Sequence, residues 1–343
     1  MTVDPATPPP DESVALSVVI ITENEADNVD ACIESVFAAC RGVDSFEVIL
    51  VDSASTDDTV TRAADHPITV LRIPTDHVVS CGAGRYVGDR VARGELVLHV
   101  DGDMVLTDEW LPQAIDQLGE PGVAAVEGTF EATGQTQVRE VDKVGGVMLY
   151  DAAALRAVGG FDPYLLGYED VEVGYRLREA GYRLLRLPTV SATHREGEGS
   201  LGPVDRWRQG YMVAPGQAIR KWVGSPAMLR RLLARQRYKV ALLAWLCVGL
   251  AAVVSLPLLL GWLVASAAGF GYLASRRGVR GAVRFLLTKT LGVAGLAAGL
   301  RRSTPPAEAY PVETVEVVRE GPVHGGGRDP AEEATPGGRT AGE

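Results

Sequence analysis

From Val240 to Ala274 the chain runs for 35 residues without a charged side chain. Few folds accept such a stretch in water. As one straight helix it would be about 52 Å long, well past the ~30 Å hydrocarbon core of a bilayer. Basic residues stand at both ends: Arg230, Arg231, Arg235, Arg237 and Lys239 before it, Arg276, Arg277, Arg280 and Arg284 after it. Cationic flanks stay on the cytosolic side of a membrane. The pattern therefore predicts two short spans that turn at Ser255–Pro257, with both ends in the cytosol. A buried soluble hairpin is the competing reading. The next stretch, Arg284 to Leu300, is apolar but holds Lys289. It predicts an interfacial helix, with a third span as the alternative.

The run closes a membrane-associated region, 226–302, whose hairpin covers about 240–274. Before it, 14–225 reads as one α/β domain. Apolar strands are predicted at Leu16–Thr22, Phe46–Asp52, Ile68–Ile73 and Glu95–Asp101. Between the first two, Val29, Cys32, Ile33, Val36, Phe37 and Cys40 recur at helical spacing. Residues 1–13 are Pro-rich and acidic, without the basic start and apolar run of a signal peptide, and predict a disordered lead. Residues 303–343, rich in Pro, Gly, Glu and Thr, predict a disordered tail in which His324 is incidental. The four cysteines form neither a CxxC pair nor a zinc spacing. The net charge of −11 argues against nucleic acid as a partner and is compatible with a salt-adapted cytosol.

Ligands of open parallel sheets bind beyond the carboxyl ends of the strands. Three predicted strands end there on Thr22, Asp52 and Asp101, and Asp103 follows after one glycine. Two carboxylates so close repel each other, and a divalent cation with oxygen ligands would relieve the repulsion. A solvated Asp-Gly turn is the plainer alternative.

Four segments come in order: SVVIITENEADNVDACIESV (17–36), EVILVDSASTDDT (47–59), GAGRYVGDRVARGELVLHVDGD (82–103) and GGFDPYLLGYEDVEVGYRLREAGYRLLRLP (159–188). Together they resemble the family 2 glycosyltransferases. The resemblance implies a GT-A fold, a nucleotide-diphospho-sugar transferase domain with a Rossmann-like mixed sheet, here followed by C-terminal transmembrane helices. It implies a nucleotide-sugar donor and a divalent metal, Mg2+ or Mn2+.

The resemblance also assigns roles. Thr22 and Glu25 line the nucleoside pocket. Asp52 contacts the base, and a strand-end cap is its other reading. Arg85 pairs with phosphate. Asp103 binds the metal, and Asp101 faces the ribose or a metal-bound water. Asp170 is the general base, with Glu169 orienting the acceptor or the base. Apart from the resemblance, His194 beyond the base suits a metal or diphosphate ligand, with a surface-loop residue as its other reading. Glu23 and Tyr86 depart from the family pattern, which has an aromatic and an Asn there. Pro203 stands where processive synthases of the family carry the Gln of Q-x-x-R-W, which argues against processive synthesis.

The implied activity is an inverting, metal-dependent sugar transfer to a hydroxyl of a lipid-linked glycan. It would take place on the cytosolic face of the cell membrane, in a multi-pass protein. Transfer directly to polyprenyl phosphate, or a non-catalytic nucleotide-sugar-binding scaffold, are the alternatives.

Overall fold

The computed structural model describes residues 14–132, 134, 136–194 and 202–325. The expected disordered lead lies outside these residues. Two compact units divide the chain. The first comprises 1–164, 169–198 and 305–343, and the second 165–168 and 199–304.

The first unit is built from β1 (Leu16–Thr22), α1 (Val29–Ala39), β2 (Ser45–Asp52), α2 (Thr59–Ala63), β3 (Thr69–Arg72), α3 (Cys81–Val91), β4 (Leu96–Asp101), β5 (Met104–Leu106), α4 (Trp110–Leu118), β6 (Val123–Thr129), β7 (Arg139–Glu140), β8 (Met148–Asp151), α5 (Ala152–Ala157), α6 (Glu169–Glu179), β9 (Arg183–Val190) and β10 (Ala192–His194). The main sheet runs β3-β2-β1-β4-β8-β6-β9-β7. β1 is parallel to both β2 and β4, whereas β8 is antiparallel to β4 and β6. The sheet is therefore mixed, and β1 lies at its centre.

Every residue of β1 is buried, as an apolar run covered on both faces requires. Val18 and Ile20 share a core with Ile33, Val36 and Trp110, while Val19 and Ile21 share another with Ala83 and Val87. The apolar stripe of α1 faces the first core. Cys32 and Cys40 are part of it. On the opposite face α3 presses its Gly84 against Ile21 and its Gly88 against Val19. A methyl group at either position would collide with β1, so these glycines set how closely α3 approaches the sheet.

The second unit holds α7 (Pro203–Arg208), α8 (Ala214–Lys221), α9 (Pro226–Arg235), α10 (Arg237–Ala252) and α11 (Leu256–Gly299). The chain breaks at residues 253–255, where the turn was expected, and α11 bends at Gly278, whose φ is 71°. Among the described helices only α11 is long and apolar enough to cross a membrane. With 16 residues α10 is about 24 Å long, short of a full span. Two matched spans, and hence a multi-pass protein, are not supported. Arg284–Gly299 falls in the helical segment that follows the kink at Gly278, with Gly292, Gly295 and Gly299 buried.

The tail departs from expectation over 303–325. There the chain returns to the first unit as β11 (Glu316–Arg319), antiparallel to β3, and β12 (His324–Gly325), antiparallel to β2. Composition obscured this because the anchors are few. Tyr310 is 3 % exposed, packs its ring near Tyr86 and Tyr164, and donates its hydroxyl to the Val78 carbonyl. Val312 and Val315 are buried beside it. His324 is not incidental either: its ring stacks on Phe46 and its Nε2 lies 3.0 Å from the Pro67 carbonyl oxygen.

If these contacts hold the tail, Tyr310→Ala lowers stability by about 3 kcal/mol, and Tyr310→Phe, which loses only the hydroxyl bond, by about 1 kcal/mol. Thermal unfolding of the two variants checks this. Unchanged melting in both would show that the tail does not belong to the folded domain.

Candidate active site

The central strands bring their polar ends together by register. Thr22 lies opposite Asp52, and Ile21 opposite Asp101. Thr22, Asp52 and Asp101 thus stand on three adjacent strands at the carboxyl edge of the sheet, as the sequence predicts. Gly102 sits against β1: a Cβ there would lie 2.5 Å from the Thr22 methyl, and its N–H donates to the Ile21 carbonyl. The glycine between the two aspartates is thus required by packing.

Asp52 is fully buried and holds its own loop. It accepts from the Ser55 hydroxyl, the Ser55 N–H at 2.9 Å and the Thr22 hydroxyl at 3.4 Å, with Arg72 nearby at 3.8 Å. Of the two roles read from sequence, the strand-end cap is the one seen here. Burial pushes its carboxyl above the usual range in spite of the Ser55 bonds. Glu25 opens the turn into α1, where its carboxylate accepts from the Asn28 amide at 2.8 Å. The turn is pinned to the loop after β2 through Asn24, whose φ is 58°, whose N–H donates to Ser55 and whose side chain accepts from the Thr56 N–H.

Arg85 is the centre of the cluster. It is 3 % exposed and reaches from α3 to Asp101 on β4 and Glu169 on α6, with both ion pairs at 2.5 Å. Gly82 and Gly84 bring this turn of α3 close enough for that reach. Burial pushes the Asp101 and Glu169 carboxyls upward, and Arg85 pulls both back. The two carboxylates in turn hold the guanidinium protonated against its own desolvation. Arg85, expected to pair with phosphate, here bridges two acids.

Asp103 and His194 meet across the two-stranded sheet of β5 and β10, where His194 lies opposite Met104. The His194 Nδ1 is 3.1 Å from an Asp103 oxygen. Among the described residues no three His, Cys, Asp or Glu side chains gather as a ready metal site. Asp170 opens α6 beside Glu169 and is held by Lys143, with its other oxygen accepting from the Val171 N–H at 2.7 Å. Gly145 leaves the space for this pair, since a Cβ there would lie 2.9 Å from both the Asp170 oxygen and the Lys143 nitrogen.

Comparison with known proteins decides the family of this arrangement. Residues 17–145 match the sequence model of the family described as Glycosyl transferase family 2. This stretch contains β1 through the Lys143 loop, with Thr22, Asp52, Arg85, Asp101 and Asp103.

Residues 17–145 carry a Glycosyl transferase family 2 domain.

Over 149 residues the chain is 27 % identical to the glycosyltransferase AglE of Haloferax volcanii, a stretch that is 42 % of this chain and 49 % of that protein. Over 125 residues it is 31 % identical to the undecaprenyl-phosphate 4-deoxy-4-formamido-L-arabinose transferase of Serratia proteamaculans, 35 % of this chain and 38 % of that one. The chain thus matches about half or less of the length of these relatives. In fold it is similar to a mannosyltransferase of Pyrobaculum calidifontis solved with GDP-Man and Mn2+. The TM-score is 0.61 at 22 % identity, covering 86 % of this chain and 89 % of that one. The fold of the glycosyltransferase domain is GT-A.

Sequence reasoning missed Lys143. One signal was available: the chain has only four lysines among 33 basic residues, and Lys143 is the only one before residue 221. In so arginine-rich a domain, a lone lysine two residues ahead of Gly145–Gly146 is worth a question.

Asp101 and Glu169 have their carboxyls raised on folding, so the stability linked to them is present in acid and lost as pH climbs past the ordinary carboxylate range near 4. Glu169→Gln, which removes one buried charge and keeps the Arg85–Asp101 pair, raises the melting temperature at pH 7.5. The gain vanishes near pH 4. Differential scanning calorimetry at the two pH values checks this, and a loss of stability at pH 7.5 would refute it.

Proposed function

We propose that this domain transfers a sugar, with inversion, from a nucleotide-sugar donor to a hydroxyl of a lipid-linked glycan at the cytosolic membrane face. The observation that carries the reading is the set of four carboxylates at the sheet's carboxyl edge, Asp101, Asp103, Glu169 and Asp170. Arg85 joins Asp101 to Glu169, while Asp103 is held by His194 and Asp170 by Lys143.

Such a site suits a cation that arrives with a diphosphate. Asp103 and His194 offer a carboxylate and an imidazole side by side. Mg2+ and Mn2+ are held in this way by one or two side chains, with phosphate oxygens completing the shell. The donor set therefore fits the metal, with Asp103 and His194 as its protein ligands and Asp101 facing the ribose or a metal-bound water. When bound, the metal would neutralise the diphosphate and favour its departure.

The remaining chemistry belongs to the chain. Thr22 and Glu25 border the nucleoside on the β1 side, and Asp52 shapes that wall by holding the 53–55 turn. Arg85 fixes Asp101 and Glu169 in position. Asp170 takes the proton of the acceptor hydroxyl as its oxygen forms the new bond to the anomeric carbon. The bond to the diphosphate breaks on the opposite face and the nucleotide leaves with the electron pair. Glu169, at the neighbouring position of α6, orients the acceptor or the base.

A second reading is favoured by Lys143. A polyprenyl phosphate acceptor is already ionised and needs no base, and the lysine paired with Asp170 would receive its charge. The printed name of the Serratia relative, an undecaprenyl-phosphate transferase, agrees with this reading.

The test uses purified full chain in detergent with UDP-, GDP- or dTDP-sugars, Mg2+ or Mn2+, and two competing acceptors, a polyprenyl-linked glycan and bare polyprenyl phosphate. Asp103→Ala and Asp170→Asn each lower transfer to the glycan at least about 100-fold. Transfer confined to bare phosphate and surviving Asp170→Asn would replace the main reading with the second. Donor binding by calorimetry with no transfer to either acceptor would overturn both and leave a nucleotide-sugar-binding scaffold.

A further inference from the structure

The second unit has an apolar hairpin made of α10 and residues 256–277 of α11. Gly249 lies against the Trp262 ring, where a Cβ would be 2.5 Å from Cε2, and Trp245 donates its indole N–H to the Ser266 hydroxyl at 3.1 Å. These two contacts fix one antiparallel register, in which each step down one leg matches a step down the other. Carried to the base, it puts Lys239 level with Tyr272.

Three features mark the two ends of this hairpin as unlike. The base carries arginines on both legs, together with the exposed rings of Tyr238 and Tyr272, 64 % and 66 % exposed. That is the composition of a headgroup layer. The tip has none of it: Val253, Val254 and Leu256 project there at 63 %, 88 % and 67 % exposure. The uncharged helical part of the first leg, 240–252, rises only about 20 Å against a ~30 Å hydrocarbon core.

Both indoles and the first N–H groups of the tip find partners inside the hairpin, as lipid favours. The Trp262 N–H donates to the Trp245 carbonyl at 3.1 Å, and the two indoles stack 5.9 Å apart. At the tip, the N–H groups of Val253, Val254 and Ser255 reach back to carbonyls of α10, and Pro257 has no N–H to satisfy.

The chain also comes back. Past the bend at Gly278, Gly295 and Gly299 rest on the backbone carbonyls of Met212 and Val213, and Gly216 on that of Leu296. This seam without side chains ties the end of α11 to the start of α8. Beyond it, 305–325 rejoins the sheet of the first unit. A single crossing would leave that strand on the wrong side of the membrane.

We infer that residues 237–277 form a re-entrant hairpin, which dips into the bilayer from the face of the catalytic domain and ends among the acyl chains without crossing. This rests on the membrane reading of the proposed function and gives it a topology: the occupant of the apolar surface is a lipid bilayer with anionic headgroups at the arginine level.

The test reconstitutes the full chain, with Cys81 and Cys247 replaced by Ala, on vesicles of phosphatidylcholine and phosphatidylglycerol. Val254→Cys reports the tip and Val318→Cys the tail; Cys32 and Cys40 are fully buried. The expected result is labelling of Val318→Cys by an impermeant maleimide outside the vesicles. Val254→Cys should stay unlabelled by that reagent, whether outside or trapped inside, until detergent is added. Labelling of the tip from the lumen would show a true crossing, and labelling from outside a hairpin lying in water; either overturns the inference. Flotation separates this from failure of the membrane reading, because a chain that does not float with vesicles has no lipid partner. As an independent check, Val253→Lys/Val254→Lys, at exposed positions, weakens vesicle binding at least about 100-fold when the tip lies in hydrocarbon. Unchanged binding overturns the inference.

Discussion

The catalytic domain depends on one buried cation. Arg85 is almost wholly removed from water and ties the acid that ends β4 to the acid that begins α6. Burying a guanidinium and a carboxylate, with a second carboxylate half-buried beside them, is costly unless geometry and stoichiometry are both right. An arginine suits the place because its planar fork reaches two carboxylates at once, which an ammonium on a flexible stem does less well. The glycines of α3 belong to the same solution, since a bulkier helix would stand off from β1 and leave the guanidinium short. Stability and site geometry therefore share a residue. The pair Asp101–Glu169 stays in register only while a helix on one face of the sheet is pressed against its central strand.

Around this bridge, each exposed acid has a local base. Asp103 has His194 and Asp170 has Lys143. The arrangement lowers the repulsion that four carboxylates would otherwise impose, and it aims each one before any ligand arrives. Pre-aimed groups need little reorganisation when charge develops. It also means that a ligand entering the site exchanges partners with these bases instead of meeting bare carboxylates.

Much of this was legible beforehand. Strand ends at Thr22, Asp52 and Asp101 followed from apolar runs that stop on a polar residue, and their convergence from the rule for parallel sheets. The helical stripe of α1 followed from periodicity. What the sequence hid was long-range. Arg85 was read as a partner of phosphate, and nothing local shows that two acids, 16 and 84 residues away, close on it. Asp52 was read in two ways, and the nearby Ser55 that makes it a cap is visible only once the loop is folded. Tyr310 and His324 lie in a stretch whose composition is that of a disordered tail; a few anchoring side chains among many Pro, Gly and Glu leave no periodic trace.

The return of that tail sets an order on synthesis. β11 is the outermost strand of the sheet, yet it and β12 are the last parts of the sheet to leave the ribosome, after the whole apolar hairpin. Until then β3 presents an open edge, the kind of surface on which chains pair wrongly with one another. Completion of the sheet must therefore wait until the hairpin has emerged and been sheltered. A domain near the start of the chain thus becomes whole only at its end, and a nascent chain stalled within α11 would carry a nearly formed active site beside an unprotected strand.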